Sequence, residues 1–110
     1  MSIHEAITQL LTFLEHARRR PDVYAEGVEA TDHFLRGIRA GLAIPYGDVG
    51  EYAIRRALML DCGWQPPGLY PWDDMREAGM SAAMVVDEIY GIEIAIWQRV
   101  LQRLESGVMG

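Results

Sequence analysis

Ile3, Ile7, Leu10, Leu14 and Ala17 recur every three or four residues at the start of the chain, and similar spacings return in three later segments. At about 100° per residue, this repeat gathers apolar side chains on one face of a helix, whereas a half-buried strand needs strict alternation. Val, Ile and Thr never cluster in strict alternation with polar residues over the 110 residues, so no strand is expected. The chain reads as all-α.

Glycine, proline and capping residues set the expected element ends. Ser2 followed by Glu5 is a capping-box pair that opens the first helix, with Leu11 and Phe13 widening its stripe and Pro21 ending it. Arg18, Arg19 and Arg20 fall where cations offset the helix dipole. A turn, PDVYAEG, leads to a second helix over Thr31–Ala43 with Phe34, Leu35, Ile38 and Leu42 on its apolar face. Gly37 and Gly41 border that face and predict the close approach of another backbone. After the break at Pro45, Tyr46 and Gly47, Asp48 caps a third helix with Glu51 at the box position, and Gly63 ends it. The segment WQPPGLYPW, Trp64 to Trp72, cannot be helical and predicts a stiff, ordered crossing. A short helical turn from Asp73 or Asp74 to Ala78 ends at Gly79, and Ser81 opens a long last helix that runs to Gly107. The architecture expected is a compact bundle of four main helices with a Pro/aromatic loop before the last, a single domain over 1–110.

Charge and cysteine use narrow the function classes. Ten basic and 16 acidic residues give a net charge of −6, which argues against a nucleic-acid binder. No apolar run approaches the roughly 18–20 residues of a membrane span, and MSIHEAITQL lacks the basic start and cleavage site of an export signal. Cys62 has no second cysteine to pair with, so a reducing cytoplasm and a buried structural thiol are expected.

Patterns that carry catalysis are missing. His4, His16 and His33 make neither a His-Glu-x-x-His nor a Glu-x-x-His pair; Glu29 and His33 stand one turn apart with nothing to complete a site. The three serines, Ser2, Ser81 and Ser106, all sit at helix ends, and neither a nucleophile elbow nor a phosphate loop occurs. No catalytic residue, metal or cofactor is therefore expected.

Two residues break the helical pattern. Glu93 lies inside the apolar arc of the last helix, among Ile89, Tyr90, Ile96 and Trp97, and Arg56 lies inside the apolar face formed by Val49, Tyr52, Ala53, Met59 and Leu60. A buried unpaired charge costs several kcal/mol, so three readings stand. The two form a buried pair that fixes helix register, joined by Tyr52 or Tyr90; or both snorkel to the surface; or they floor a pocket. Trp64, Tyr70 and Trp72 divide the same way, between a lid on the bundle and a patch for a partner or ligand. The arc of the last helix is wider than a one-sided surface helix needs, which predicts a homodimer or a partner on that face, or, in a monomer, a central helix packed by the rest of the bundle.

Arg20, Pro21 and Tyr24, followed by Phe34, Leu35 and Gly37, make an Arg-Pro-x-x-Tyr and Phe-Leu-x-Gly segment. It resembles a pattern in small bacterial helical proteins, some tied to immunity or defence gene clusters. The resemblance implies an all-helical protein and no catalytic residue. The functional expectation is a non-enzymatic acidic protein that binds a basic protein partner, as an inhibitor, immunity protein or adaptor. The alternative is a small-molecule binder or enzyme with a pocket of Arg56, Glu93 and the Trp64–Trp72 loop.

Overall fold

The computed structural model describes residues 1–63 and 72–106, which form α-helices, one 3₁₀ turn and no strand. Helix α1 spans Ile3–Arg19, and the expected capping box closes it: Ser2 Oγ accepts from the Glu5 amide at 3.1 Å. Its stripe, led by Ile7, Leu10 and Leu14, is buried. A 3₁₀ turn over Pro21–Val23 follows, and Tyr24 beyond it packs edge-on to Phe13 at 5.0 Å and stacks on Phe34 at 5.8 Å. Tyr24, Phe34 and Leu35 of the Arg-Pro-x-x-Tyr segment thus work as packing residues between α1 and the next helix, and Leu35 is fully enclosed.

Helix α2, Val28–Tyr46, is longer at both ends than expected. Thr31 sends its hydroxyl back to the Gly27 carbonyl at 2.7 Å instead of capping, so the helix begins a turn earlier, after Gly27 at φ +92°. Pro45 costs only one amide of the last turn, and the helix passes through it. Gly37 and Gly41 do not receive a neighbouring backbone: a Cβ on either would meet nothing within 4 Å. The close approach occurs at Gly91 instead, where a Cβ would lie 3.1 Å from the guanidinium of Arg18. That guanidinium crosses Gly91 to reach Asp87 with two hydrogen bonds, 2.8 and 3.1 Å, so Arg18 clamps α1 to the last helix as well as standing at a helix end.

Helix α3, Glu51–Asp61, starts after Gly50, whose φ of +81° is left-handed and whose amide donates to Asp48 Oδ1 at 2.7 Å. Asp48 therefore caps the turn before the helix rather than the helix itself. The face that α3 buries carries Arg55, Leu58 and Met59; Tyr52 and Leu60, expected inside, are exposed. Rotated this way, the helix leaves Cys62 exposed at its C-cap, not buried. Helix α4, Trp72–Glu77, takes in Trp72, which was expected in the non-helical crossing, and is pinned by fully buried Met75; the rest of that crossing, 64–71, lies outside the described residues.

Helix α5, Ala82–Glu105, is capped by Ser81 as expected and runs through the centre of the fold, in contact with the other four helices. Its wide arc is covered from several sides by the same chain. The surplus apolar face that predicted a homodimer is therefore already buried. No helix among the described residues is long and apolar enough to cross a membrane.

Candidate functional site

Glu93 is buried, 3% exposed, and a cation meets it as the helical pattern predicted, but the cation is Arg55 and not Arg56. Arg55 and Arg56 point about 100° apart on one helix, so only one can face α5. Arg55, 5% exposed, donates Nη1 to Glu93 Oε1 at 2.6 Å and Nη2 to Oε2 at 2.9 Å, a two-pronged match of guanidinium to carboxylate. Arg56 is exposed on the other side of the helix. Neither Tyr52 nor Tyr90 joins the pair. The third donor is Trp97, one turn along from Glu93, whose indole Nε1 donates to Oε2 at 2.9 Å.

Two more residues complete a quartet of charges. Glu51 accepts from Arg55 Nε at 2.6 Å across one turn of α3. Arg39, from α2, brings its Nε to 3.4 Å from Glu93 Oε2 without hydrogen-bond geometry. That buried nitrogen has no hydrogen-bond acceptor among the described residues. The formal charges of Arg39, Arg55, Glu51 and Glu93 cancel. Burial alone pushes the Glu93 carboxyl up, but Arg55, Arg39 and Trp97 together outweigh it and hold it below the ordinary glutamate range. Burial pulls Arg55 down, and Glu93 and Glu51 more than reverse that. Glu93 is thus a fixed anion, a counter-charge and not a proton donor.

The quartet has a closed side and an open side. On the closed side Arg39, Arg55, Met59, Trp72, Ile89, Ile92 and Glu93 surround about 10 Å³, room for about one water. On the open side a cleft of about 400 Å³ lies between the second half of α2, the Gly47–Val49 connection and the start of α3. Arg39, Glu51 and Trp97 belong to its lining, with Ile3, Leu42, Tyr46 and Val49 as walls and Asp48 and Tyr52 at the edge. Tyr46 is fixed there by donating its hydroxyl to the Met1 carbonyl at 2.8 Å.

Of the residues expected at a site, the structure brings Glu93 and Trp72 near one another and leaves Arg56 outside. Trp64 and Tyr70 lie outside the described residues. Arg39, Arg55, Glu51 and Trp97 were missed. Three of them had a signal: Glu51 and Arg55 are an acid–base pair at i, i+4, and Trp97 stands at i+4 from Glu93. His16 and His33 are exposed, and His4 meets Glu105 at 3.0 Å on the surface.

A second buried carboxylate, Asp32 on α2, is less well served. Arg36 reaches its Oδ2 at 3.2 Å, while buried Oδ1 has no hydrogen-bond partner among the described residues. Burial raises its pKa, and Arg36, Arg39 and His33 offset only part of that. A folded-state pKa above the unfolded one means that Asp32 favours folding when protonated and opposes it once pH rises through the raised value. Asp32→Asn is accordingly expected to raise the urea midpoint at pH 7, with the gain shrinking as pH falls through that value; an equal or lower midpoint at pH 7 refutes this account.

No family model, curated protein or solved structure matches the chain.

Proposed function

We propose that this is a non-enzymatic binding protein that takes a basic protein partner on the face around the open cleft, as an inhibitor, immunity protein or adaptor does. One observation carries the reading: the open cleft leaves apolar side chains uncovered. Tyr52 at its edge is 57% exposed, and Leu42, Tyr46 and Val49 offer apolar walls with Asp48 and Glu51 beside them. Apolar anchors flanked by charge of one sign suit a partner of the opposite sign, and the net charge of −6 attracts it from a distance. Because the α5 arc is used inside the core, the reading gives this face to another protein rather than to a second copy of the chain. It also assigns a cytoplasmic setting, where the exposed Cys62 thiol persists as a thiol.

The test is capture from a lysate of the encoding cell on tagged protein, beside a variant carrying Ala43→Glu and Tyr52→Glu, both in the cleft lining. Both positions are exposed, so the variant should fold. The expected result is a basic protein retained by the original chain and lost with the variant. Equal retention by both, or none, overturns the reading. A thermal shift with a metabolite in place of a captured protein would move the cleft to small-molecule binding.

A further inference from the structure

We propose that the cleft receives the free carboxyl terminus of the partner, with an apolar last residue and a basic residue behind it; this rests on the protein-binding reading above. The floor of the cleft holds a cation, Arg39, that its own surroundings leave incompletely used. Its Nε is buried against Glu93 at 3.4 Å without a hydrogen bond, and the 19% exposure of the side chain leaves its terminal nitrogens to serve the cleft. Glu93 already accepts from both ω-nitrogens of Arg55 and from Trp97, so it has little left to give Arg39. A guanidinium with remaining donors at the base of a cleft is a receptor for a planar carboxylate.

The rest of the lining narrows the ligand. Leu42, Val49 and Trp97 stand around Arg39 and suit an apolar side chain next to the carboxylate. About 400 Å³ accommodates one large residue, with space at the mouth for the chain that follows. Asp48 and Glu51 also line the cleft, which disfavours a ligand that is anionic along its length. They fit one that is anionic at its tip and cationic behind it, the charge order of a chain ending in a basic and then an apolar residue. A free amino acid shares that order, but the exposed Tyr52 at the edge of the cleft calls for a ligand that continues outwards.

Isothermal titration calorimetry with synthetic peptides tests this on the intact protein. The probes are acetyl-Gly-Gly-Arg-Lys-Leu as the free acid, the same peptide as its amide, its extension by two glycines, and free leucine. The free acid should bind, and the amide and the extended peptide should bind about 10- to 100-fold more weakly, the worth of a charge-assisted hydrogen bond. Free leucine should bind more weakly than the acid peptide. Arg39→Gln should bring acid and amide within about twofold of each other. Asp48→Asn, at an exposed position where the amide still accepts from Gly50, should weaken the Arg-Lys-Leu acid but leave a Gly-Gly-Leu acid unchanged.

The acid-to-amide ratio of the unaltered protein needs no variant, so it decides the matter even if Arg39→Gln unfolds the chain. Equal binding of acid and amide, no binding of the acid up to about 1 mM, or free leucine binding as tightly as the peptide each overturns the proposal. A protein captured on the Ala43–Tyr52 face together with equal binding of acid and amide would sink the carboxylate receptor and leave the protein-binding reading standing.

Discussion

Glu93→Gln is expected to lower stability by about 3–5 kcal/mol, because it leaves two buried or part-buried cations, Arg55 and Arg39, with Glu51 as the one carboxylate of the quartet. Arg55→Met should cost a similar amount from the other side, since Glu93 would retain only Trp97 and the weaker approach of Arg39. Replacing both with apolar residues of similar volume should cost much less than the sum. Glu51 and Arg39 are part-exposed and can turn towards water in that double variant. Arg56→Met supplies the contrast at the neighbouring position and should cost under about 1 kcal/mol. A double-mutant cycle by urea unfolding checks all four values. Small additive effects at Arg55 and Glu93, or a large effect at Arg56, would contradict the pairing. The pH dependence has a definite sign: a carboxyl held below its unfolded pKa contributes stability that is complete above the ordinary glutamate range. That contribution disappears as pH falls through the lowered value, so the gap between the original chain and Glu93→Gln should narrow on acidification.

Leu14→Ala should cost about 2–5 kcal/mol, the range for emptying a leucine site in a packed core. Leu14 is fully buried in α1 within the cluster that joins α1 to α5. The far end of the fold should feel the loss too, because α5 also forms the wall against which α2 and α3 pack. Thermal unfolding followed at 222 nm should stay a single transition at a lower midpoint. A loss below about 1 kcal/mol would mean that α1 is peripheral to the core.

The parts of the fold legible in the sequence are those where local and global demands agree. In α1 a capping box and a single narrow stripe pointed the same way, and α5 offered Ser81 and an unbroken arc. Helix α3 gave no such agreement: Val49, Tyr52, Ala53, Met59 and Leu60 form one apolar stripe, and Ile54, Leu58 and Cys62 form a second one on the other side. Periodicity alone could not choose between them. The choice is made by Glu93, which needs a cation, and Arg55 is the one that shares a face with Leu58 and Met59. A charge placed inside an apolar face was thus a sound signal on α5 and misleading on α3. Arg39 shows the same limit on α2, where Val28, Thr31, Asp32 and Leu35 set the inward face, yet Phe34 and Ile38 beside them drew the apolar stripe away. The cleft itself had no sequence signature, because its walls come from α1, α2, α3 and α5 and exist only once those helices are assembled.

The packing of the first helix on the last also sets a schedule for synthesis. Arg19 ends α1, and Ala82 opens the helix that covers it. With translation adding about 5–20 residues per second, roughly 60 to 90 residues must follow before that cover is present, a delay on the order of 3–18 s. Throughout that time Ile7, Leu10 and Leu14 have no lasting partner, and the nascent chain presents them as a sticky stripe. A ribosome stalled within α3 should therefore hold a chain that chaperones bind and proteases cut, whereas release of α5 should protect the whole chain in a single step.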